Sequence, residues 1–278
     1  MSRCVLISGL GLMGGSLAAA LSAAGWRVLL HHRRYEVTQA AAARGWGEAL
    51  RELDQAGAAQ LAVVCTPISA IAAQVRAIAA ATSALITDVG STKQLLVHEL
   101  ADLPSRYLGS HPMAGSHLHG LEHATPELYR QRTAIITPTA ASSAASVALV
   151  SALWQAAGCR VAVLSPEIHD RVVAQASHLP HILASATAAQ LSAAAAPVAA
   201  TGFRDATRIA AAAAPLWADI LLSNAPAVLE AIQATQAHVH GLSAALAQGD
   251  RAAVEAWLEL GVAGRQRFEA VQPPGPHP

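Results

Sequence analysis

Over the first 165 residues, short β-branched and aliphatic runs alternate with longer alanine-rich stretches; after Pro166 the β-branched runs give way to helix formers. A strand covered on both faces reads as a continuous apolar run, so the first pattern predicts parallel strands joined by crossover helices. The runs place strands at 4–8, 28–31, 61–65, 84–87, 107–110, 133–137 and 161–164. The second pattern predicts helices broken at Pro197, Gly202, Pro215, Pro226 and Gly249. The expected architecture is α/β: a doubly wound parallel sheet over 1–165, then an all-α domain over 166–272. Residues 273–278 hold four prolines in six positions and are expected to be a disordered tail.

The first strand runs straight into Gly9, Gly11 and Gly14, the spacing of a Rossmann-type dinucleotide fingerprint. Gly9 permits the tight turn, Gly11 lets the backbone approach a pyrophosphate, and Gly14 lets the following helix pack close to the sheet. Leu10, Leu12 and Met13 complete that loop, and the helix N-terminus faces the anion. An NAD site wants a carboxylate at the end of the second strand. Here the chain reads His31-His32-Arg33-Arg34. Guanidinium forks suit a 2′-phosphate, so His32, Arg33 and Arg34 point to NADP, with NAD still possible. Cys65, Thr66 and Pro67 end the next long strand, and Asp88 and Gly90 the one after it; strand ends of this kind line cofactor grooves in open α/β sheets.

Composition narrows the partners. The 278 residues are 53% hydrophobic and 13% charged, with 18 Lys and Arg balancing 18 Asp and Glu. No basic face is available for nucleic acid, which leaves a small molecule as the partner. Cys4, Cys65 and Cys159 lack any C-x-x-C spacing, so neither a disulfide framework nor a zinc site is expected, and a reducing cytoplasm fits. The N-terminal strand leaves no room for an export signal. The alanine-rich stretch 182–222 is interrupted by Gln190, Arg204, Asp205, Arg208 and Asp219, so no membrane span is expected. Helices apolar around most of their circumference need a cover, and a second copy of the helical domain would supply it, giving a homodimer.

The motifs GLGLMGGSLA, VVCTPI, DVGSTK (88–93), SHPMAG (110–115) and HDRVVAQASHLPH occur in that order, followed by FRDATRIA (203–210) and DILLSN (219–224). Together they resemble the TyrA family of prephenate and arogenate dehydrogenases over nearly the whole chain. The resemblance implies oxidative decarboxylation: hydride leaves the carbinol carbon of a cyclohexadienol, carbon dioxide leaves the opposite ring carbon, and a phenol results. A short chain with an apparent NADP site resembles the cyanobacterial-type, monofunctional arogenate enzymes; an NAD-linked prephenate dehydrogenase giving 4-hydroxyphenylpyruvate is the alternative. The β-hydroxyacid dehydrogenases, which resemble one another in a lysine on the first helix of the second domain, fit poorly because no lysine follows Lys93. A non-catalytic NADP-sensing module would leave SHPMAG beside GSTK without a purpose.

Hydride loss builds positive charge on the carbinol carbon, so a neutral imidazole that accepts the hydroxyl proton lowers the barrier. His111, read as a loop residue before Pro112, is the expected base. Ser91 resembles the family serine that shares the substrate hydroxyl, and Lys93, the sole lysine, resembles the lysine beside it. His181 resembles the residue that approaches the substrate side chain, with His178 helping or packed structurally. The intervening proline makes a poor metal pair, and no metal is expected. Arg208 resembles the arginine gripping a substrate carboxylate; Arg204, four residues earlier, is expected to share its face and pair with Asp205. Trp217 resembles a pocket aromatic one residue out of the family register. His117, His119, His123 and His169 are expected in loops or on the surface.

Overall fold

The computed structural model describes residues 3–115 and 118–271, so His117 and the expected tail at 273–278 lie outside the described residues. Strand β1 (Cys4–Ser8) is buried at every position, as its unbroken apolar run requires. Then follow α1 (Leu12–Ala23), β2 (Arg27–His31), α2 (Tyr35–Ala43), the two-residue β3 (Glu48–Ala49), β4 (Leu61–Val64), α3 (Ile68–Ala81), β5 (Leu85–Asp88) and α4 (Gln94–Glu99). These five strands pair in parallel in the order β3-β2-β1-β4-β5. The order reverses between β1 and β4. A crevice therefore opens beyond their carboxyl ends, the place where such sheets bind ligands.

The remaining strands, β6 (Gly109–Pro112), β7 (Thr133–Thr137) and β8 (Arg160–Val163), form a second sheet in the order β6-β7-β8, with α5 (Ala144–Ala156) between β7 and β8. The β6–β7 pair is antiparallel, and one bridge from Ile86 to Tyr107 links the two sheets. Strand β6 starts later than the apolar run at 107–110 suggests, and it takes in His111, which the sequence reading put in a loop. Pro112 can close β6 because an edge strand tolerates a residue without an N–H. Thus the expected base sits on a strand, opposite Ile135.

Beyond Pro166 the chain is helical: α6 (Pro166–Val173), α7 (Leu179–Ala189), α8 (Thr201–Thr207), α9 (Ala214–Ser223), α10 (Ala225–Gln248) and α11 (Arg251–Val271). Pro215 and Pro226 lie in first turns, where a missing N–H costs nothing, and Gly249 separates α10 from α11 at φ +65°. Gly202 does not break a helix; it lies in the first turn of α8. The described residues up to Val228 form one compact unit, so the helices from α6 to α9 pack with the nucleotide-binding fold within it, and those from Leu229 onward form a second. In the second unit Trp257 donates its indole N–H to the His238 carbonyl at 2.9 Å, tying α11 to α10. Leu246, Leu258, Leu260, Val262 and Phe268 are exposed there. Among the described residues no helix is long and apolar enough to cross a membrane.

The glycine loop is defined by what a side chain would strike. Gly9 has φ +97°, and a Cβ on it would stand 2.7 Å from the Cys65 carbonyl oxygen. A Cβ on Gly14 would fall 1.8 Å from the Gly9 carbonyl oxygen, whereas one on Gly11 would meet nothing within 4 Å. Two glycines therefore serve the fold, and the third keeps a face open. Gly14→Ala is expected to lower stability by about 1–3 kcal/mol through overpacking. Gly11→Ala should leave the melting temperature unchanged and weaken dinucleotide binding; thermal melts and cofactor fluorescence titrations of the two variants check the contrast.

Candidate active site

At the end of β5 the Asp88 carboxylate is fully buried and surrounded by donors. Lys93 ion-pairs with Oδ2, Gly90 N–H donates to the same oxygen at 2.8 Å, Tyr107 O–H donates to Oδ1 at 2.9 Å, and Ser110 N–H does so at 3.2 Å. The Lys93 ammonium also donates to the Ser110 carbonyl at 2.9 Å. Lys93 is no surface charge: its side chain is fully enclosed, and burial pulls its pKa down while the Asp88 carboxylate pulls it back up. Burial and the Asp88 charge push the Tyr107 phenol well above its usual range, so it stays a donor. The Ser110 hydroxyl joins the cluster, donating to the Asp88 carbonyl at 2.7 Å and accepting from the Trp154 indole at 3.0 Å.

This cluster holds His111 against α6. His111 Nδ1 lies 3.0 Å from His169 Nε2, and His169 Nδ1 lies 2.7 Å from Asp170 Oδ1. The sequence expectation of a loop or surface position for His169 is corrected: it is a fully buried neighbour of His111, whereas His119 and His123 are exposed. Burial lowers the His111 pKa well below the imidazole range, and His169, Lys93 and His178 lower it further. Asp170 accepts backbone N–H groups from Lys93 at 2.8 Å and Gln94 at 2.9 Å. It thereby ties α6 to the loop that carries Ser91. Ser91 is half-buried, and its hydroxyl is unengaged among the described residues.

Between α6 and α7 the backbone makes a π-helical turn at Ala174–His178. Pro180, in the first turn of α7, supplies no N–H and crowds the preceding carbonyl, which accounts for the loosened turn. The turn brings His178 and His181 inward. His181 stacks on Trp217 with ring centroids 3.5 Å apart and planes 4° off parallel, and His178 meets the same indole edge-on at 6.1 Å. Asn224 donates to the Asp170 carbonyl at 2.8 Å and lies 3.3 Å from His178 Nδ1. His181 Nδ1 is buried without a partner among the described residues. Trp217 thus belongs to this wall in spite of its shifted register. Arg208 is exposed in the turn after α8, which packs against α7, and has no ion-pair partner among the described residues. Arg204 is exposed with Asp205 at 4.0 Å.

A cleft of about 400 Å³ lies along the glycine loop, lined by Leu10, Gly11, His32, Arg34, Arg44 and Leu121 among others. Arg33 is exposed and outside that lining. Arg44 was not singled out by sequence; it stacks on Trp46 and donates to the Leu121 carbonyl at 2.8 Å, which bridges the cleft. Leu12 and Met13 are half-buried at the start of α1, with Met13 accepting from the Tyr129 hydroxyl at 2.7 Å. Thr66 Oγ1 is buried without a partner among the described residues, beside Cys65, whose thiol pKa burial pushes up, and ahead of the exposed Pro67. Open backbone at Gly11 and an orphaned hydroxyl at Thr66 fit a dinucleotide.

Residues 17–163 match the family described as prephenate dehydrogenase, nucleotide-binding domain, and residues 165–260 match the prephenate dehydrogenase dimerization domain. The chain belongs to the prephenate dehydrogenase family. It is 34% identical to a cyclohexadienyl dehydrogenase of Zymomonas mobilis over 88% of this chain and 89% of that one. Among solved structures, a Synechocystis arogenate dehydrogenase is 25% identical with a TM-score of 0.88, covering 96% of this chain and 100% of that one. A prephenate dehydrogenase from A. aeolicus, in complex with hydroxyphenyl propionate and NAD+, is 28% identical with a TM-score of 0.88, covering 96% and 99%.

For a member of the prephenate dehydrogenase family, the residues missed from sequence are instructive. Pro166, His169, Asp170 and Val173 are the buried positions of α6, at the i, i+3, i+4, i+7 spacing of one helix face. A His-Asp pair on an inward face was the available signal. Burial also makes these imidazoles costly to protonate. His178 falls from 6.5 to about 4 on folding. Between those values the unfolded chain binds a proton that the native state refuses, so stability is full above about pH 6.5 and falls with acidification. The loss from His178 alone approaches about 3 kcal/mol near pH 4. Denaturant titrations across pH 7 to 4 should show His178→Gln losing less stability than wild type; parallel curves would mean that folding leaves the His178 pKa unshifted.

Proposed function

We propose that the protein is a dehydrogenase of tyrosine biosynthesis that oxidatively decarboxylates a cyclohexadienol, arogenate in preference to prephenate, with NADP as oxidant. The observation that carries the reading is His111, buried on β6 with its pKa lowered by burial, beside the Asp88 to Lys93 loop at the carboxyl end of β5. When bound, the nicotinamide accepts the hydride. As positive charge builds on the carbinol carbon, His111 takes up the hydroxyl proton and Ser91 shares that hydroxyl; the electron pair released with carbon dioxide completes the aromatic ring. The proton returns to the phenolic oxygen, so none is consumed. Lys93 acts through Asp88 and Ser110 to fix the strand that bears His111.

Arg208, exposed and always charged, grips the ring carboxylate, and His181 on Trp217 meets the side chain. His178 supports the same wall. Arg204 shares the rim. The working unit is a homodimer formed through the helical domain. Replacing His111 with Asn should lower kcat by about 10²–10⁴ while cofactor binding persists. Near-normal turnover would remove His111 from the mechanism.

Arg34 and Arg44 support NADP, since both line the cleft along the glycine loop, their guanidinium groups suit a 2′-phosphate, and no acid ends β2. Glu36, which lines the same cleft, favours the second reading, an NAD-linked prephenate dehydrogenase, because a carboxylate suits a free ribose hydroxyl. Steady-state rates for NAD and NADP against prephenate and arogenate decide both questions. The expected outcome is the highest kcat/KM for arogenate with NADP. A tenfold advantage for prephenate, or for NAD, would replace the corresponding half of the reading.

A further inference from the structure

We propose that His169 and Asp170 are positioning residues for His111: the Asp170 carboxylate sets the tautomer of His169, and His169 sets that of His111, leaving His111 Nε2 free to accept the substrate proton. The inference rests on His111 being the base, as argued above.

The donor count fixes each link. An ionised carboxylate only accepts, and Asp170 already takes the N–H groups of Lys93 and Gln94 on its two oxygens. The ring nitrogen 2.7 Å from Oδ1 must therefore carry hydrogen, which makes His169 the Nδ1–H form. In a neutral imidazole the other nitrogen then has a lone pair. That nitrogen, Nε2, faces His111 Nδ1 at 3.0 Å, so His111 must donate there and is also the Nδ1–H form. Without this chain either tautomer of His111 would be available, and the Nε2–H form cannot take a proton from a hydroxyl.

Burial keeps the chain in register. His169 is fully enclosed, Asp170 is 1% exposed, and His111 is 8% exposed. Both imidazoles are lowered by desolvation, consistent with two neutral rings in contact. Asp170 is anchored on every side, by α4 through its carboxylate and by Asn224 through its carbonyl. Its direction cannot drift as the pocket fills. The same residue thus aims the base, holds the Ser91 loop and reaches, through Asn224, the His178 side of the pocket.

A kinetic cycle and a spectrum test the proposal, with the cofactor and substrate pair that gives wild type its highest rate. His169→Gln should lower kcat about 10²-fold with KM and cofactor affinity within about twofold of wild type. Asp170→Asn, whose amide can present N–H to His169 and invert both rings, should lower kcat at least as much. In a His111→Asn background His169→Gln should cost nothing further, since the residue it positions is gone. An equal loss in both backgrounds would make His169 structural and overturn the proposal, as would a wild-type kcat in His169→Gln. If His111→Asn itself keeps its rate, the reading of His111 as base fails and the relay with it. Nitrogen-15 NMR of the histidines in the unmodified protein reads the tautomer without any substitution: an Nδ1–H signal for His111 is expected, and an Nε2–H signal would sink the relay.

Discussion

The buried pair of Asp88 and Lys93 is the constraint on which the site depends. Two charges removed from water cost several kcal/mol each unless their lone pairs and protons are met, and here the carboxylate gathers one ammonium, one phenol and two backbone N–H groups. Those donors come from two different segments. Satisfying Asp88 therefore fixes the Gly90 to Lys93 loop and the Tyr107 to Ser110 approach to β6 at the same time. Ser91 projects from the first and His111 follows the second. A pair worth little as net stability is worth more as a device that allows only one arrangement of two loops.

The parallel sheet, the glycine loop and the helical second half were legible because each rests on a periodic or local signal. The glycine loop was legible in detail: Gly9 and Gly14 stand where any Cβ would strike backbone. Strand β6 was harder, since its apolar run includes Tyr107 and Leu108, which lead into the strand without belonging to it, while His111 and Pro112 do belong. The end of that run and the following Pro112 argued for a loop at His111, and cross-strand pairing with β7 prevailed. Strand β3 is two residues long and left no periodicity to read.

Long-range partnership was the part that sequence withheld. Lys93 stood out only through the family resemblance, because nothing local says that Asp88 and Tyr107 close over it. His169 looked like one of several histidines, although its spacing with Pro166, Asp170 and Val173 marks an inward face. Arg44 lies ten residues past the His31-His32-Arg33-Arg34 run and joins it only because α2 returns along β2 to the cleft. In each case the residue type carried the chemistry, and the fold alone supplied the address.

Charge is also sorted by depth, and on the proposed reading the sorting lets an anionic substrate and a neutral base share one pocket. A cation close to His111 would depress its basicity and compete for the substrate carboxylate; Lys93 does lie near it, yet Asp88 neutralises that ammonium at contact. Arg208, without an ion-pair partner among the described residues, is exposed, where water lowers the cost of leaving it unmatched. Between the two depths the wall is made of uncharged rings, His178 and His181 against Trp217, each imidazole pushed toward neutrality by burial. On the proposed reading, a carboxylate is drawn to Arg208 while the carbinol end reaches His111. Orientation of the substrate, on that reading, follows from where the protein leaves charge uncompensated.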